Sequence, residues 1–596
     1  MIHLSPPADI RLCSREGRDL LKYLFETNYG NADLIEQHII LLNKIAGVDR
    51  RDQVIVDGHH VASISFDIVA GTYKIDLELA GAILLAENAR KNLVICDEAL
   101  QRGHIKGKWL DPDRIITFDD CNLIDGSSVI LKIGEQVGVG IVRNRFNGSK
   151  AIRVKGIGPK RFKLGPVSSD INLMVKANES HLERLEQIAL KELREYFKKT
   201  KQPINVSFSG GKDSLAALIL ARKANRNIEL LFVDTGLEFP ETVKYVENIC
   251  TERKLKLHFI QETNKFFDQL NDFGPPAKDF RWCCKTNKLG PLTTFIQEHY
   301  PSGCITVEGR RVYESFSRAK IGPVEKNPFV PNQTTLCPIR NWNALEVMLY
   351  IHWNKMPLNP LYELDYERIG CWLCPSALQS ELANTKKTHP QLYQKWISYL
   401  HDWAKQNGLD AKYVDWGLWR WRKHPPKILE LAQTQGVSLK SKPSESKVIQ
   451  LEIVQGPSQC GLKYSIEAAL DVPMNFSFDR VAKSLVMLGK TKYSDELGVV
   501  KLTLDHSSCA VFANGNILII GPERGSKHVL ETVVETILRV QLCTRCGICE
   551  KSCPQKAIRI VETLEVDEKK CNHCGRCAKG CIIANQAVKL IPYFAK

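Results

Sequence analysis

Cys543, Cys546, Cys549 and Cys553 form a C-x2-C-x2-C-x3-C run closed by Pro554, and Cys571, Cys574, Cys577 and Cys581 repeat the spacing shortly afterwards. This repeat constrains the fold more than any other feature of the chain, because eight thiolates so placed wrap two 4Fe–4S clusters. In such a pair the last cysteine of each run serves the other cluster. The expected sets are therefore Cys543, Cys546, Cys549 and Cys581 for one, and Cys571, Cys574, Cys577 and Cys553 for the second. Two zinc knuckles are the alternative, but zinc takes separated cysteine pairs rather than two uninterrupted runs of four.

The segment 541–596 thus reads as a ferredoxin-like electron carrier fused to whatever precedes it, which calls for an electron-donor protein as partner. With 596 residues the chain exceeds what one core can serve and divides into several domains. Lys plus Arg outnumber Asp plus Glu by 82 to 67, a net charge of +15 that favours an anionic partner. Twenty cysteines, clustered rather than scattered, suit soft-metal ligation in a reducing compartment. No signal-peptide pattern follows Met1, so a cytoplasmic location is expected. The longest apolar stretch, 77–93, is interrupted by Glu78, Glu87 and Arg90, which predicts a core or surface helix and no membrane partner.

Along the chain, 1–110 reads as an α+β region without assigned chemistry, with β-prone runs at 52–69 and a helix over 77–91. Short strands between glycine-bearing turns over 111–168 predict a small β-barrel. Its stretch 143–163 holds eight basic residues and no acidic one, with Phe146 and Phe162 interleaved. A helix over 180–198 leads into alternating strands and helices (204–208, 213–223, 228–234, 240–253, 255–260), the pattern of a doubly wound parallel sheet. Tryptophan-rich helical sequence covers 390–433 and completes a domain at 178–437. A polar linker, 438–447, precedes a small α/β module at 447–540, with a hairpin turning at Asn514-Gly515.

Ser209-Gly210-Gly211-Lys212-Asp213-Ser214 follows an apolar strand and opens a helix, where glycines let backbone N–H groups approach a phosphate. The Gly-x-x-x-x-Gly-Lys spacing of a Walker loop is absent. The hexapeptide resembles the pyrophosphate-binding loop of the PP-loop superfamily, and the likeness to phosphoadenosine and adenosine phosphosulfate reductases extends over 203–376. Asp234-Thr235-Gly236 with Phe239-Pro240-Glu241-Thr242 resembles that family's adenosine-contacting strand end. Gly309-Arg310-Arg311 with Ser315 and Arg318 is similar to its arginine motif, whose guanidinium forks suit phosphate and sulfate oxygens. Pro338-Ile339, Trp342 and Asn359-Pro360-Leu361-Tyr362 then lead into Gly370-Cys371-Trp372-Leu373-Cys374-Pro375. The resemblance implies an adenine nucleotide alpha hydrolase-like core that binds an adenine nucleotide or phosphosulfate.

Adjacent Cys283-Cys284 with Cys371 and Cys374 match the arrangement that holds a 4Fe–4S cluster in assimilatory adenosine phosphosulfate reductases, which implies a third cluster. A structural zinc is the alternative at these four thiols. Nearby Arg281, Lys285 and Lys288 offset an anionic cluster and substrate, or form a solvated basic face. The family's nucleophilic cysteine lies in a late Glu-Cys-Gly-Leu-His tail. Here the nearest match is Gln459-Cys460-Gly461-Leu462-Lys463, with Cys460 the candidate nucleophile and two of five positions changed.

The predicted barrel resembles a PUA domain, which implies tRNA or other RNA as a further partner. Three functions remain open on the sequence. One is an iron–sulfur oxidoreductase that reduces an adenylated sulfate to sulfite through its own ferredoxin segment. Another is ATP-dependent sulfur insertion into tRNA, and the last is a non-catalytic electron-transfer protein with a nucleotide site.

Overall fold

The computed structural model describes residues 9–102, 106–110, 115–119, 124–144, 150–160, 164–165, 168–261, 265–314, 318, 321–326, 330, 332–439, 450–457, 464–471, 478–504, 506–543, 545, 547–561, 564–577, 581–588, 591 and 593–594. Its central sheet runs in the order Lys256–Gln261, Glu229–Asp234, Ile204–Ser207, Cys304–Val307, Gln333–Leu336, Val324–Lys326. The first five strands are parallel and the last is antiparallel. The chain enters in the middle, winds outward through Glu229–Asp234 and Lys256–Gln261, then returns to the other side of Ile204–Ser207. The reversal leaves a crevice at the carboxyl end of Ile204–Ser207, where open α/β sheets bind ligands. Ser209 to Ser214 occupies that position.

Hydrophobic continuity explains why this part folds as its sequence predicts. Val206, Phe208, Leu230 and Phe232 on the strands and Leu215 to Ala221 on helix Lys212–Ala224 are buried together. Each such large side chain contributes about 1.5–3 kcal/mol on leaving water. Beneath this sheet a second core gathers aromatic residues, with Trp282 and Trp396 fully buried and Phe266 stacked on Trp282 at 5.2 Å. Helices Gln379–Thr388, Pro390–Gln406 and Pro426–Thr434 supply its outer wall.

The N-terminal region forms an antiparallel meander of Ile10–Leu12, Ile40–Lys44, Arg51–Val56, His59–Asp67 and Thr72–Leu77. Lys44 pairs with Glu367 at 3.1 Å, Arg50 pairs with Asp365, and Asp49 meets the buried Arg420 at 3.2 Å. Buried ionic contacts of this kind fix register between layers. They tie the meander to the central domain.

Among the described residues the expected barrel is not seen closed. Among the described residues, Trp109–Leu110, Lys150–Pro159, Gln136–Asn144, Ser128–Ile133, Leu93–Cys96 and Ile115–Asp119 form a six-stranded mixed sheet with two edges. Closure depends on pairing between the outermost strands, which glycine placement does not specify. Leu93–Cys96 precedes residue 111, and Ile130, Val137 and Val139 share a core with Leu21 and Phe25. Three of the described basic residues here have acidic partners: Lys155 with Glu78, Arg143 with Asp125 and Lys160 with Glu135. Phe146 and Phe162 lie outside the described residues. The helix expected over 77–91 is confined to Leu79–Leu85. Among the described residues no helix is long and apolar enough to cross a membrane.

Residues 450–541 hold a six-stranded antiparallel sheet that includes the expected hairpin, Ser508–Phe512 with Asn516–Gly521. Helix Glu523–Gln541 packs on it and delivers the chain to Cys543. The remainder is a short hairpin, Ile558–Ile560 with Leu564–Val566, between helices Ile548–Ser552 and Ile582–Ala587.

Candidate active site and iron–sulfur centres

Gly210 adopts φ +74°, a left-handed backbone, and a Cβ there would lie 2.9 Å from Thr242 Cγ2, so glycine is required. The turn is held from behind. Tyr362 Oη accepts the Lys212 amide at 2.7 Å, and Asn359 Nδ2 donates to the Gly210 carbonyl and to Thr242 Oγ1, both at 3.2 Å. The Asn359-Pro360-Leu361-Tyr362 motif is thus a brace for the loop. Ser214 Oγ accepts the Ser209 amide at 3.3 Å and donates to the Gly211 carbonyl at 2.8 Å. Lys212 Nζ lies 3.0 Å from Asp213.

The three arginines expected to grip an anion divide into two roles. Arg311 is 1% exposed; its Nε donates to Asp213, Nη1 to Asp9 and the Trp342 carbonyl, and Nη2 to Asp9. Its donors are committed to the protein, so it buttresses the loop instead of presenting a fork to substrate. Arg310 and Arg318 remain at the crevice, Arg310 paired with Glu325 at 2.7 Å and Arg318 with Glu314. Burial first, then Arg368 and Arg310, pulls Arg318 down to about 10. Guanidinium groups that repel one another in a half-buried place are relieved by an anion. Arg368 was not singled out by the sequence, because it lies outside the arginine motif and directly before the Cys371 segment.

Asp234 and Thr235 end their strand at the crevice. Asp234 Oδ1 accepts the Gly236 amide, and Glu238 Oε2 accepts both Thr235 N–H (2.8 Å) and O–H (2.9 Å). The other oxygen of Glu238 lies 3.9 Å from Cys371 Sγ, so one carboxylate links the nucleotide end to the cysteine end.

Cys283, Cys284, Cys371 and Cys374 are brought within electrostatic reach of one another, and all are free thiols. Its hydrogen bond with Cys283, then Lys288, Arg281 and Lys285, hold Cys284 down to about 6, while that same bond and burial push Cys283 up. Burial, then Glu238, raises Cys371. Lys288 is half-buried among these groups, and Cys371, Glu238, Cys284 and Cys374 keep it charged against desolvation. Four thiols with a half-buried lysine and neighbouring arginines fit an anionic cluster.

In the C-terminal segment Cys553, Cys571, Cys574 and Cys577 line one cavity, the cross-run set expected from the spacing. Cys543, Cys549 and Cys581 lie nearby, with Cys581 and Cys549 both within reach of Arg539. Cys546, Cys460 and Ser315 lie outside the described residues. Among the described residues no group of His, Cys, Asp and Glu converges as the ligands of a single ion would.

Residues 203–377 match the family model described as phosphoadenosine phosphosulfate reductase domain, and residues 542–584 match that described as 4Fe-4S dicluster domain. An uncharacterized protein of Methanocaldococcus jannaschii is 34% identical over 438 residues, which cover 71% of this chain and 91% of that protein. A second from the same organism is 32% identical over 427 residues, covering 71% and 97%. An adenosine 5'-phosphosulfate reductase of Deinococcus radiodurans is 30% identical over 177 residues, covering 28% and 64%.

Proposed function

The chain belongs to the family of the two Methanocaldococcus jannaschii proteins and joins a phosphoadenosine phosphosulfate reductase domain to a 4Fe–4S dicluster domain, and from that premise we propose that it reduces an adenylated sulfate to sulfite with electrons passed internally. One observation carries the reading. Helix Ile582–Ala587, which follows Cys581, packs against the turn Cys284–Leu289, and Ile583 is buried in the aromatic core that Cys283 and Cys371 border. The electron-carrying end of the chain therefore abuts the thiols of the nucleotide domain.

Each residue has a task in this reading. The loop Ser209 to Ser214 receives the phosphate, with Arg310, Arg318 and Arg368 around the sulfate. Asp234 and Thr235 bound the adenosine end. Three bound 4Fe–4S clusters would supply reducing equivalents one at a time. In the thiolate version Cys460 attacks sulfur, the S–O bond to phosphate breaks and AMP leaves as its dianion. Two electrons then cleave the Cys–sulfonate bond, releasing sulfite and restoring the thiolate, with no net proton uptake.

The test is anaerobic turnover with reduced viologen, offered adenosine phosphosulfate, its 3'-phosphorylated form, or ATP with tRNA. Sulfite from either sulfonucleotide supports the proposal. Pyrophosphate release that requires tRNA, without sulfite, would replace it with sulfur insertion.

A further inference from the structure

The two cysteine sets of the C-terminal segment sit differently in the molecule. Cys581 and Leu542, the neighbour of Cys543, pack against the aromatic core that Cys283 and Cys371 also border. Helix Ile548–Ser552, which carries Cys549, packs against helix Gly290–His299, just as Ile582–Ala587 packs against the turn Cys284–Leu289. This inner set therefore faces the nucleotide domain. Cys553 and Cys577 of the other set pack instead with Ile558 and Leu564 in a small separate core, which Cys549 joins from the inner set. The inner set thus stands between the nucleotide domain and this outer one. Cys574 of the outer set is exposed. Exposed basic residues flank it: Lys556 follows Pro554 and Gln555 of the cavity wall, Lys569 and Lys570 precede Cys571, and Arg576 stands between Cys574 and Cys577. Exposed Asp567 and Glu568 offset them in part, Asp567 by pairing with Lys570 at 2.8 Å, which leaves this face an excess of positive charge.

We infer that electrons enter at the outer set, from a small electron-carrier protein with an acidic rim docked on the face of Lys556, Lys569 and Arg576, and pass through the inner set to the thiols of the nucleotide domain. Tunnelling rates fall steeply with distance, so the cluster a carrier can approach is the one it reduces. The set lying between then relays. Each encounter moves one electron: the carrier is oxidised, the outer cluster is reduced, and no bond forms or breaks. Redox encounters bury little area, so complementary charge governs their rate more than packing does. The route rests on the iron–sulfur assignment of residues 542–584 and takes its direction from the proposed reduction.

The experiment follows cluster bleaching by stopped flow in the full chain purified without oxygen, with iron content measured alongside. Reduced plant-type ferredoxin, an acidic carrier, and reduced viologen, a small cation, are the two donors. The ferredoxin rate should fall steeply as salt is added. Lys569→Glu combined with Arg576→Glu should lower it about tenfold at low salt without slowing viologen or removing iron. Arg545→Glu, an exposed position beside the inner set, should change it less than about twofold. Cys574→Ser should lose about four irons and leave clusters that viologen bleaches and ferredoxin does not. Because bleaching is read and not sulfite, failure of this route is distinguished from failure of the proposed reaction. A ferredoxin rate indifferent to salt and to the charge-reversed pair, a larger loss in Arg545→Glu than in that pair, or a wild-type protein that viologen reduces and ferredoxin does not, overturns the proposal. Bleaching of iron-depleted Cys574→Ser by ferredoxin at the wild-type rate overturns it too. Should the charge-reversed pair lose iron, Lys556→Glu decides, and an unaltered ferredoxin rate there overturns the proposal.

Discussion

Nε of Arg311 donates to Oδ1 of Asp213 at 2.6 Å, although the two residues lie on different elements of the central domain. The other face of the guanidinium is closed by Asp9 at 2.8 and 3.0 Å. The helix that begins at Lys212 is therefore tied, through one buried arginine, to the N-terminal edge of the protein. Arg311→Ala leaves Asp9 without its guanidinium and Asp213 with Lys212 alone, and breaking a buried pair in this way costs about 3–5 kcal/mol. Chemical denaturation of the iron-loaded protein checks the value. Arg311→Lys should recover a minority of it, because an ammonium cannot fork both carboxylates.

Removing the Tyr362 hydroxyl leaves the Lys212 amide buried without its acceptor. Tyr362→Phe should cost about 1–3 kcal/mol of stability. Because the loop itself is loosened, AMP affinity measured by calorimetry should fall several-fold while iron content stays constant.

The contact between the N-terminal meander and the central domain should respond to pH. Burial would raise Glu367, yet Lys44, Arg11 and Arg50 outweigh it and hold the carboxyl well below its ordinary value of 4.5. A depressed folded-state value stabilises the protein above 4.5, and that stability is lost as pH falls below it toward the folded value. Unfolding free energy should decline on acidification from about pH 5. Glu367→Gln should flatten that decline.

The iron–sulfur reading predicts about twelve iron atoms per chain from three four-iron clusters. Cys284→Ser should remove about four of them and leave the EPR signals of the C-terminal pair in place. Zinc at that site, with iron confined to the C-terminal segment, would show that the four thiols serve a structural ion.

The strands and helices flanking Ser209 were legible because alternation of apolar runs with amphipathic helices is a local property, and the cysteine sets because spacing alone selects them. The contacts of Arg311 were not legible for the opposite reason. Its motif marks an anion site, but what occupies its donors is Asp9, a residue distant in sequence and unremarkable in its surroundings. Closure of the expected barrel was not legible, since glycine-marked turns say where strands end and not which strands become neighbours.

In the proposed reaction, reducing equivalents stored in the C-terminal cysteine sets reach a sulfonucleotide at the loop Ser209 to Ser214. The most direct measurement reduces the full chain without oxygen, removes the reductant and adds limiting adenosine phosphosulfate, following the reduced-cluster EPR signal beside AMP and sulfite. The proposed reaction yields one AMP and one sulfite for every two electrons lost from the clusters. Clusters that stay reduced while iron-replete protein binds the nucleotide, with no sulfite from it or from its 3'-phosphorylated form, would contradict it.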